Sequence, residues 1–309
     1  MGEHVLVVGA MLLDTKGKPT AGLEAGTSNP AEIKHVRGGG ARNVAENLAR
    51  LGAEVLLISA VGDDRSGGRL MAQTAEAGVN LDYVITVEGK STGSYIAILD
   101  ADGSLSVALD DVRVMENVNA GYLYKNRRLF RDACMVMADG SLTSSAFETL
   151  ARLSRQYELP FVADPSSVRL AHKLLPHLAD LALVVPNEIE AAAMAGRAFG
   201  GHGPDESLRS ALQLRQAGVE TAIVTMSDFG LVYATSAETG HIPARYSQVV
   251  DSTGTGDAVT AAIMFGLIND LPVIEAIRLG AAAASLTLQS SDTVVPDLSL
   301  DMLYDHLIV

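Results

Sequence analysis

Val5-Leu6-Val7-Val8-Gly9 is an apolar run with no polar alternation. A strand that shows one face to water alternates, whereas a strand covered on both faces does not, so this run predicts a buried strand of a parallel sheet. Working outward, Asn43 through Leu51 places Val44, Leu48 and Leu51 on one helical stripe with Gly52 as its stop, and Val55-Leu56-Leu57-Ile58-Ser59 is another buried strand. From about residue 130 the rhythm is regular, with apolar runs at 134–138, 161–163, 181–185 and 222–225 separated by helix-length segments. That βαβ pattern predicts an α/β fold with a doubly wound, mostly parallel sheet.

Two stretches depart from the rhythm. Residues 14–36 carry turn formers and polar residues without helical period, and Tyr95–Leu99 and Ser104–Leu109 flank Asp100-Ala101-Asp102-Gly103 as an antiparallel hairpin. Both are too short to fold alone, so a single domain over residues 1–309 is expected, with a small β-sheet lid from about 14–36 and 92–111. The stretch Gly280–Ala284 reads as a close-packed helix.

The 309 residues carry 23 Lys and Arg against 37 Asp and Glu, a net charge of −14. Such a surface repels phosphate backbones and anionic headgroups, so neither a nucleic-acid polymer nor a membrane is an expected partner. With 48% hydrophobic and 19% charged residues, a packed core is expected rather than disorder. Cys134 is the only cysteine, which excludes an internal disulfide and a Cys-based zinc site, and its apolar surroundings predict a buried structural thiol. Met1-Gly2-Glu3-His4 lacks a basic leader pattern and no stretch nears 18 uninterrupted apolar residues, so a soluble cytoplasmic protein is expected.

Asp251-Ser252-Thr253-Gly254-Thr255-Gly256-Asp257 precedes an apolar, small-residue helix running to Gly266. Free N–H groups in the first turn and the helix dipole make an anion site suited to a phosphoryl group. Asp257 at its mouth is placed to accept the proton of an attacking hydroxyl, although an ordinary helix cap reads the same way. No Walker A loop and no Gly-x-Gly-x-x-Gly fingerprint occurs. A second cluster, Gly38-Gly39-Gly40-Ala41-Arg42-Asn43, permits close backbone approach, and Asn43 can bond a sugar diol. Asp14 lies just past the first strand, where open α/β sheets collect ligands. Asn187 reads as a helix cap, with Glu190 three residues on facing the same cleft and able to act on magnesium through water. Thr225 through Gly230 closes a further strand, with Gly230 free to turn under a nucleotide.

Taken in order, Asp14, Gly39-Gly40-x-x-Asn43, Asn187-x-x-Glu190, Thr225…Gly230 and Asp251-x-x-Gly-x-Gly-Asp257 resemble the ribokinase (PfkB) family of sugar and nucleoside kinases over essentially the whole chain. Within that family the stretches Ser28-Asn29-Pro30, Arg42-Asn43…Glu46-Asn47, Leu105–Asp111 and Asp164-Pro165-Ser166-Ser167-Val168 are similar to the pseudouridine kinase branch. The resemblance implies an ATP-dependent kinase acting on the 5′-hydroxyl of a ribose-containing substrate, pseudouridine first, with ribose, another sugar or a purine nucleoside as alternatives. A non-catalytic nucleoside sensor is the rival of another class, but it has no need of Asp257.

The same resemblance implies roles by position. Asp257 is the catalytic base, and the backbone of Gly254, Thr255 and Gly256 forms the anion hole. Asp14, Gly39, Gly40 and Asn43, with Ser28 and Asp110, bind substrate. Asn187, Thr225, Ser227 and Gly230 serve ATP, Glu190 serves Mg²⁺ through water, and Asp251 and Thr253 fall where relatives bind a monovalent cation such as K⁺ through backbone carbonyls. Thr255, Ser227, Asp110, Ser141 and Arg169 depart from the family or branch pattern, so the base edge accepted is the open question. Relatives pair through such lids, so a homodimer through the lid is expected.

Overall fold

The computed structural model describes residues 2–100, 105–226, 230–244 and 249–307. In chain order its first elements are β1 (His4–Val8), β2 (Leu12–Pro19), β3 (Ala31–Gly38), α1 (Gly40–Arg50), β4 (Val55–Gly62), α2 (Arg65–Glu76), β5 (Asn80–Val87), β6 (Ser94–Leu99) and β7 (Leu105–Asp111). A short 3-10 turn leads to α3 (Ala120–Lys125), α4 (Arg128–Asp132), β8 (Ala133–Asp139), α5 (Ser144–Gln156), β9 (Phe161–Asp164) and α6 (Val168–Ala171). After a second 3-10 turn come β10 (Leu183–Val184), α7 (Glu188–Met194), α8 (Pro204–Gln216), β11 (Thr221–Thr225), β12 (Leu231–Ala234) and β13 (Thr239–Ile242). Helices α9 (Thr255–Ile268), α10 (Val273–Leu288) and α11 (Leu300–Asp305) follow.

The large sheet has the order β13-β12-β11-β10-β9-β8-β1-β4-β5. From β11 to β5 every pairing is parallel, and β12 and β13 extend the edge antiparallel. The unalternated run of β1 has a direct explanation. Val5 and Val7 pack with Val44, Leu48, Ile263 and Ile277 on one face, while Leu6 and Val8 pack with Phe147, Leu150, Leu123 and Leu214 on the other. Both faces are dry, so both parities must be apolar.

Strand β1 sits between β4 and β8, where the chain reverses its direction of winding, and a crevice opens at the carboxyl ends of strands at such a switch point. The second sheet, in the order β3-β2-β6-β7, is tethered there, because β2 and β3 are inserted between β1 and α1 through residues 9–11 and Gly39. It is mixed rather than antiparallel. β2 pairs with β6 in parallel and the outer pairs are antiparallel, since β6 returns to β2 only after the long passage through α1, β4, α2 and β5. The turn at Gly103 lies outside the described residues.

Smaller expectations are corrected. Helix α1 begins at Gly40 rather than Asn43, and only Leu183–Val184 of the 181–185 run is strand. Cys134 is half-buried, donating to the His4 carbonyl at 3.3 Å, with burial pushing its thiol up and away from reactivity. The alanine stretch of α10 does pack closely, with a Cβ at Gly280 falling 2.8 Å from Ile263. Among the described residues no helix is long and apolar enough to cross a membrane.

Candidate active site

Helix α9 starts without a side-chain cap. Its N-cap is Gly254 at φ +84°, where a Cβ would fall 2.1 Å from the Thr293 carbonyl oxygen, so only glycine fits this turn. Asp257 is therefore the third residue of the helix and not its cap, which frees its carboxylate for other work. The Thr255 N–H turns back to the Ser252 carbonyl at 3.3 Å, leaving Gly256 and Asp257 as the first-turn amides better placed for an anion.

Helix α1 brings the partner of Asp257. Gly39, its N-cap at φ +93°, lies so close to the end of β1 that a Cβ would sit 2.2 Å from the Ala10 carbonyl. Asn43 Nδ2 donates to Asp257 Oδ2 at 2.7 Å, and a Cβ on Gly40 would stand 3.3 Å from Asp257 Oδ1, so the missing side chain keeps that oxygen open. The amide is held by a chain of contacts. Fully buried Arg42 donates closely to Asn43 Oδ1 and to Glu46, and its Nε donates to the Gly38 carbonyl at 2.9 Å. Glu46 Oε1 also takes Arg50 Nη2 at 2.8 Å and Arg37 Nη1 at 3.4 Å. Because Arg42 occupies the amide oxygen, the amide nitrogen must face Asp257.

Burial pushes the Asp257 carboxyl up to about 7, opposed by the Asn43 hydrogen bond and the Arg42 charge and assisted by the Asp139 and Asp14 carboxylates. Asp14, on β2 and buried, is likewise pushed up to about 7 by burial, and its Oδ1 has no hydrogen-bond partner. A buried carboxylate oxygen without a partner retains the capacity to accept a hydrogen bond from a hydroxyl group. Asp14, Tyr95 and Asp110 form one row across the second sheet, and the Asp110 carboxylate acts on the Lys173 ammonium from across the cleft. Lys173 is itself bonded to the Gly140 and Leu142 carbonyls at 3.0 and 2.7 Å.

Strand ends of the large sheet supply further carboxylates. Asp139 accepts from the Ala10 and Ala41 N–H groups at 2.8 and 3.1 Å and from Ser141, pinning the ends of β1 and β8 to the first turn of α1. Asp164 is pushed well above the usual carboxylate range by burial and by Asp257, Glu190 and Asp139. Neither aspartate had been assigned a role from sequence, although each directly ends an apolar run. Asn187 caps α7 by accepting from the Ile189 and Glu190 N–H groups, while Glu190 Oε2 accepts from the Asn187 N–H at 2.9 Å. Among the described residues no three carboxylates, histidines or cysteines form a direct metal cage. Asp164 and Glu190 lie near enough for their charges to act on one another.

Asn187 bridges to Thr225 at the end of β11, and a crevice lined by Thr225, Gly230, Thr255, Val259, Ala281 and Ser285 runs alongside. Ser227 lies outside the described residues. Ser28 stays on the exposed connection between β2 and β3, and Arg169 is exposed on α6. At Asp251 and Thr253, where K⁺ was expected, Lys16 Nζ from β2 takes the side chains, donating to Asp251 Oδ2 at 2.5 Å and to Thr253 Oγ1 at 2.6 Å. Lys16 was missed because its partners lie more than two hundred residues away.

A family model described as pfkB family carbohydrate kinase matches residues 3–299. The chain is 30% identical over 299 residues to a pseudouridine kinase of Escherichia coli strain K12, covering 96% of this chain and 94% of that protein. It is 28% identical over 299 residues to a guanosine-inosine kinase of Exiguobacterium acetylicum, covering 96% and 98%. Its fold matches the structure of Arabidopsis thaliana ribokinase complexed with ribose and ATP at a TM-score of 0.83 and 23% identity over all of both chains.

Proposed function

The chain belongs to the pfkB family of carbohydrate kinases, a phosphotransferase with an alcohol group as acceptor, and from that premise we propose that it transfers the γ-phosphoryl group of ATP to the 5′-hydroxyl of pseudouridine. The observation that carries this reading is the Asn43–Asp257 pair at 2.7 Å, set at the uncapped start of α9 and close enough to Asp14 for the two carboxylates to act on one another. On this reading Asp257 is the base, the start of α9 the anion site and Asp14 the diol acceptor.

In the reaction Asp257 accepts the hydroxyl proton as the substrate oxygen bonds to the γ-phosphorus and the bond to the bridging oxygen of ADP breaks. A carboxyl near 7 is well matched to this work at neutral pH. The first-turn amides of α9 stabilise the charge on the transferring oxygens, because they are already oriented. Asp14, Gly39, Gly40 and Asn43 hold the ribose, Asp110 reads the base, and Asn187, Thr225, Ser227 and Gly230 border the nucleotide. Magnesium, when bound, neutralises phosphate charge, and Glu190 and Asp164 are the carboxylates to hold it. The second sheet acts as a lid that excludes water as a competing acceptor.

ADP release with a panel of nucleosides and sugars tests the proposal. Pseudouridine is expected to turn over best, and Asp257→Asn to lose at least about a hundredfold in rate; full activity of that variant would end the mechanism. Asp110 also favours a second reading, a purine-nucleoside kinase, since an ionised carboxylate accepts from the adjacent N–H donors of a guanine edge. Competition binding separates the two, and equal affinity for pseudouridine, uridine and guanosine would remove any base-reading role.

We further propose a homodimer through the lid. Ile33, Ile96, Val107 and Leu109 are exposed on the outer face of the second sheet, Ile96 opposite Leu109, and β7 leaves an open strand edge.

A further inference from the structure

We propose that the Lys16 ammonium is the built-in monovalent cation of the Asp251 loop, so that this chain needs no K⁺ from solution at the phosphate end of its site. The inference rests on the kinase reading for its catalytic consequence, but the cation replacement itself stands on geometry.

Lys16 is two residues beyond Asp14 on β2, so both side chains leave the same face of the second sheet and point toward the large sheet. A lysine is rarely buried without a partner, and this one is 9% exposed. Its Nζ lies 2.5 Å from Asp251 Oδ2 and 2.6 Å from Thr253 Oγ1. The other carboxylate oxygen is also taken, since Asp251 Oδ1 accepts the Thr253 N–H at 2.9 Å. A potassium ion brought to these side chains would find the carboxylate already neutralised and would meet a like charge within a few ångströms. With Lys16 in place, both Asp251 carboxylate oxygens and the Thr253 hydroxyl oxygen already have partners.

The position gives the charge a purpose. Thr253 immediately precedes Gly254, the N-cap of the helix whose first-turn amides face the phosphoryl group. A bare Asp251 carboxylate there would oppose an incoming polyphosphate, and the ammonium cancels it. Because the lysine is carried by β2, the cancellation exists only while the second sheet is seated over the loop. The lid therefore brings the cation with it, and closure of the lid and completion of the anion site become one event.

Two readouts test this. The full chain without substrates is melted in choline chloride, sodium chloride and potassium chloride at equal ionic strength. Wild type is expected to show one midpoint in all three salts, whereas Lys16→Met melts lower in choline and is restored selectively by potassium. Turnover with the best panel substrate is then measured in the same salts. Wild type is expected to vary by less than about twofold, and Lys16→Met to fall by about tenfold or more in choline and recover with potassium. Potassium raising the wild-type midpoint or rate well above choline overturns the proposal, as does a Lys16→Met chain that matches wild type in choline. If that variant does not fold, the wild-type salt series decides alone. An absence of turnover with every panel member would defeat the kinase reading while leaving the melting series to judge the cation.

Discussion

Replacing Asn43 by alanine removes the strongest single contact that holds Asp257 ionised, the 2.7 Å hydrogen bond from its amide. A hydrogen bond to a charged group contributes about 1.5–3 kcal/mol, which corresponds to about 1–2 pKa units. The carboxyl, already pushed up to about 7, would then hold its proton to still higher pH. At neutral pH the ionised fraction falls with it, and phosphoryl transfer is expected to drop by about 5- to 50-fold, the scale of one hydrogen bond to a charged group. The assay is single-turnover quenched flow at saturating nucleoside, run across the pH range, because product release then no longer masks the chemical step. The expected signature is a displaced acid limb with recovery at high pH, not a uniform loss. Asp14 titrates in the same range, so Asp14→Asn is run in parallel to separate the two macroscopic values. An acid limb at the same pH in wild type and Asn43→Ala would refute the reasoning, and a flat wild-type profile would remove Asp257 as the base.

Other outcomes follow from the same contacts. Arg42→Met breaks a fully buried ion pair with Glu46 and is expected to cost about 3–5 kcal/mol in urea denaturation, a loss under about 1 kcal/mol being incompatible with that role. Asp14 and Asp257 hold their protons up to about 7 in the folded chain against 3.8 ordinarily, so the folded state binds more protons than the unfolded one across that window. Their contribution therefore favours folding below that window and is lost as pH rises through it; melting in Asp14→Asn is expected to lose part of this pH dependence. If the proposed homodimer forms, light scattering is expected to give dimers for wild type and monomers for Leu109→Glu on the outer face of the second sheet, and an equal mass for the two would refute that interface.

Much of this architecture is legible in the chain because it rests on short-range pattern. The run from Val5 to Val8 is apolar at both parities since both faces of β1 are covered, and Gly254 announces a tight helix entry that no Cβ tolerates. Asn187 and Glu190 announce their own capping box, three residues apart. Asp139 and Asp164 were legible in principle, as carboxylates that end buried strands, but a residue's place at a strand end does not state which neighbouring strand ends lie beside it.

The sequence by itself determined the wound sheet, the helix start before Asp257 and the short motifs that hold individual ligand-facing residues, because backbone preference and burial periodicity act over a few residues at a time. Only the tertiary structure decided what those residues do to one another. The second sheet departs from the end of β1 and returns at α1, and this places Lys16 against Asp251 and Asn43 against Asp257 across separations of 235 and 214 residues. Those contacts set the charge of the crevice, and no local pattern encodes them, since Coulomb and hydrogen-bond terms depend on distance in space rather than along the chain.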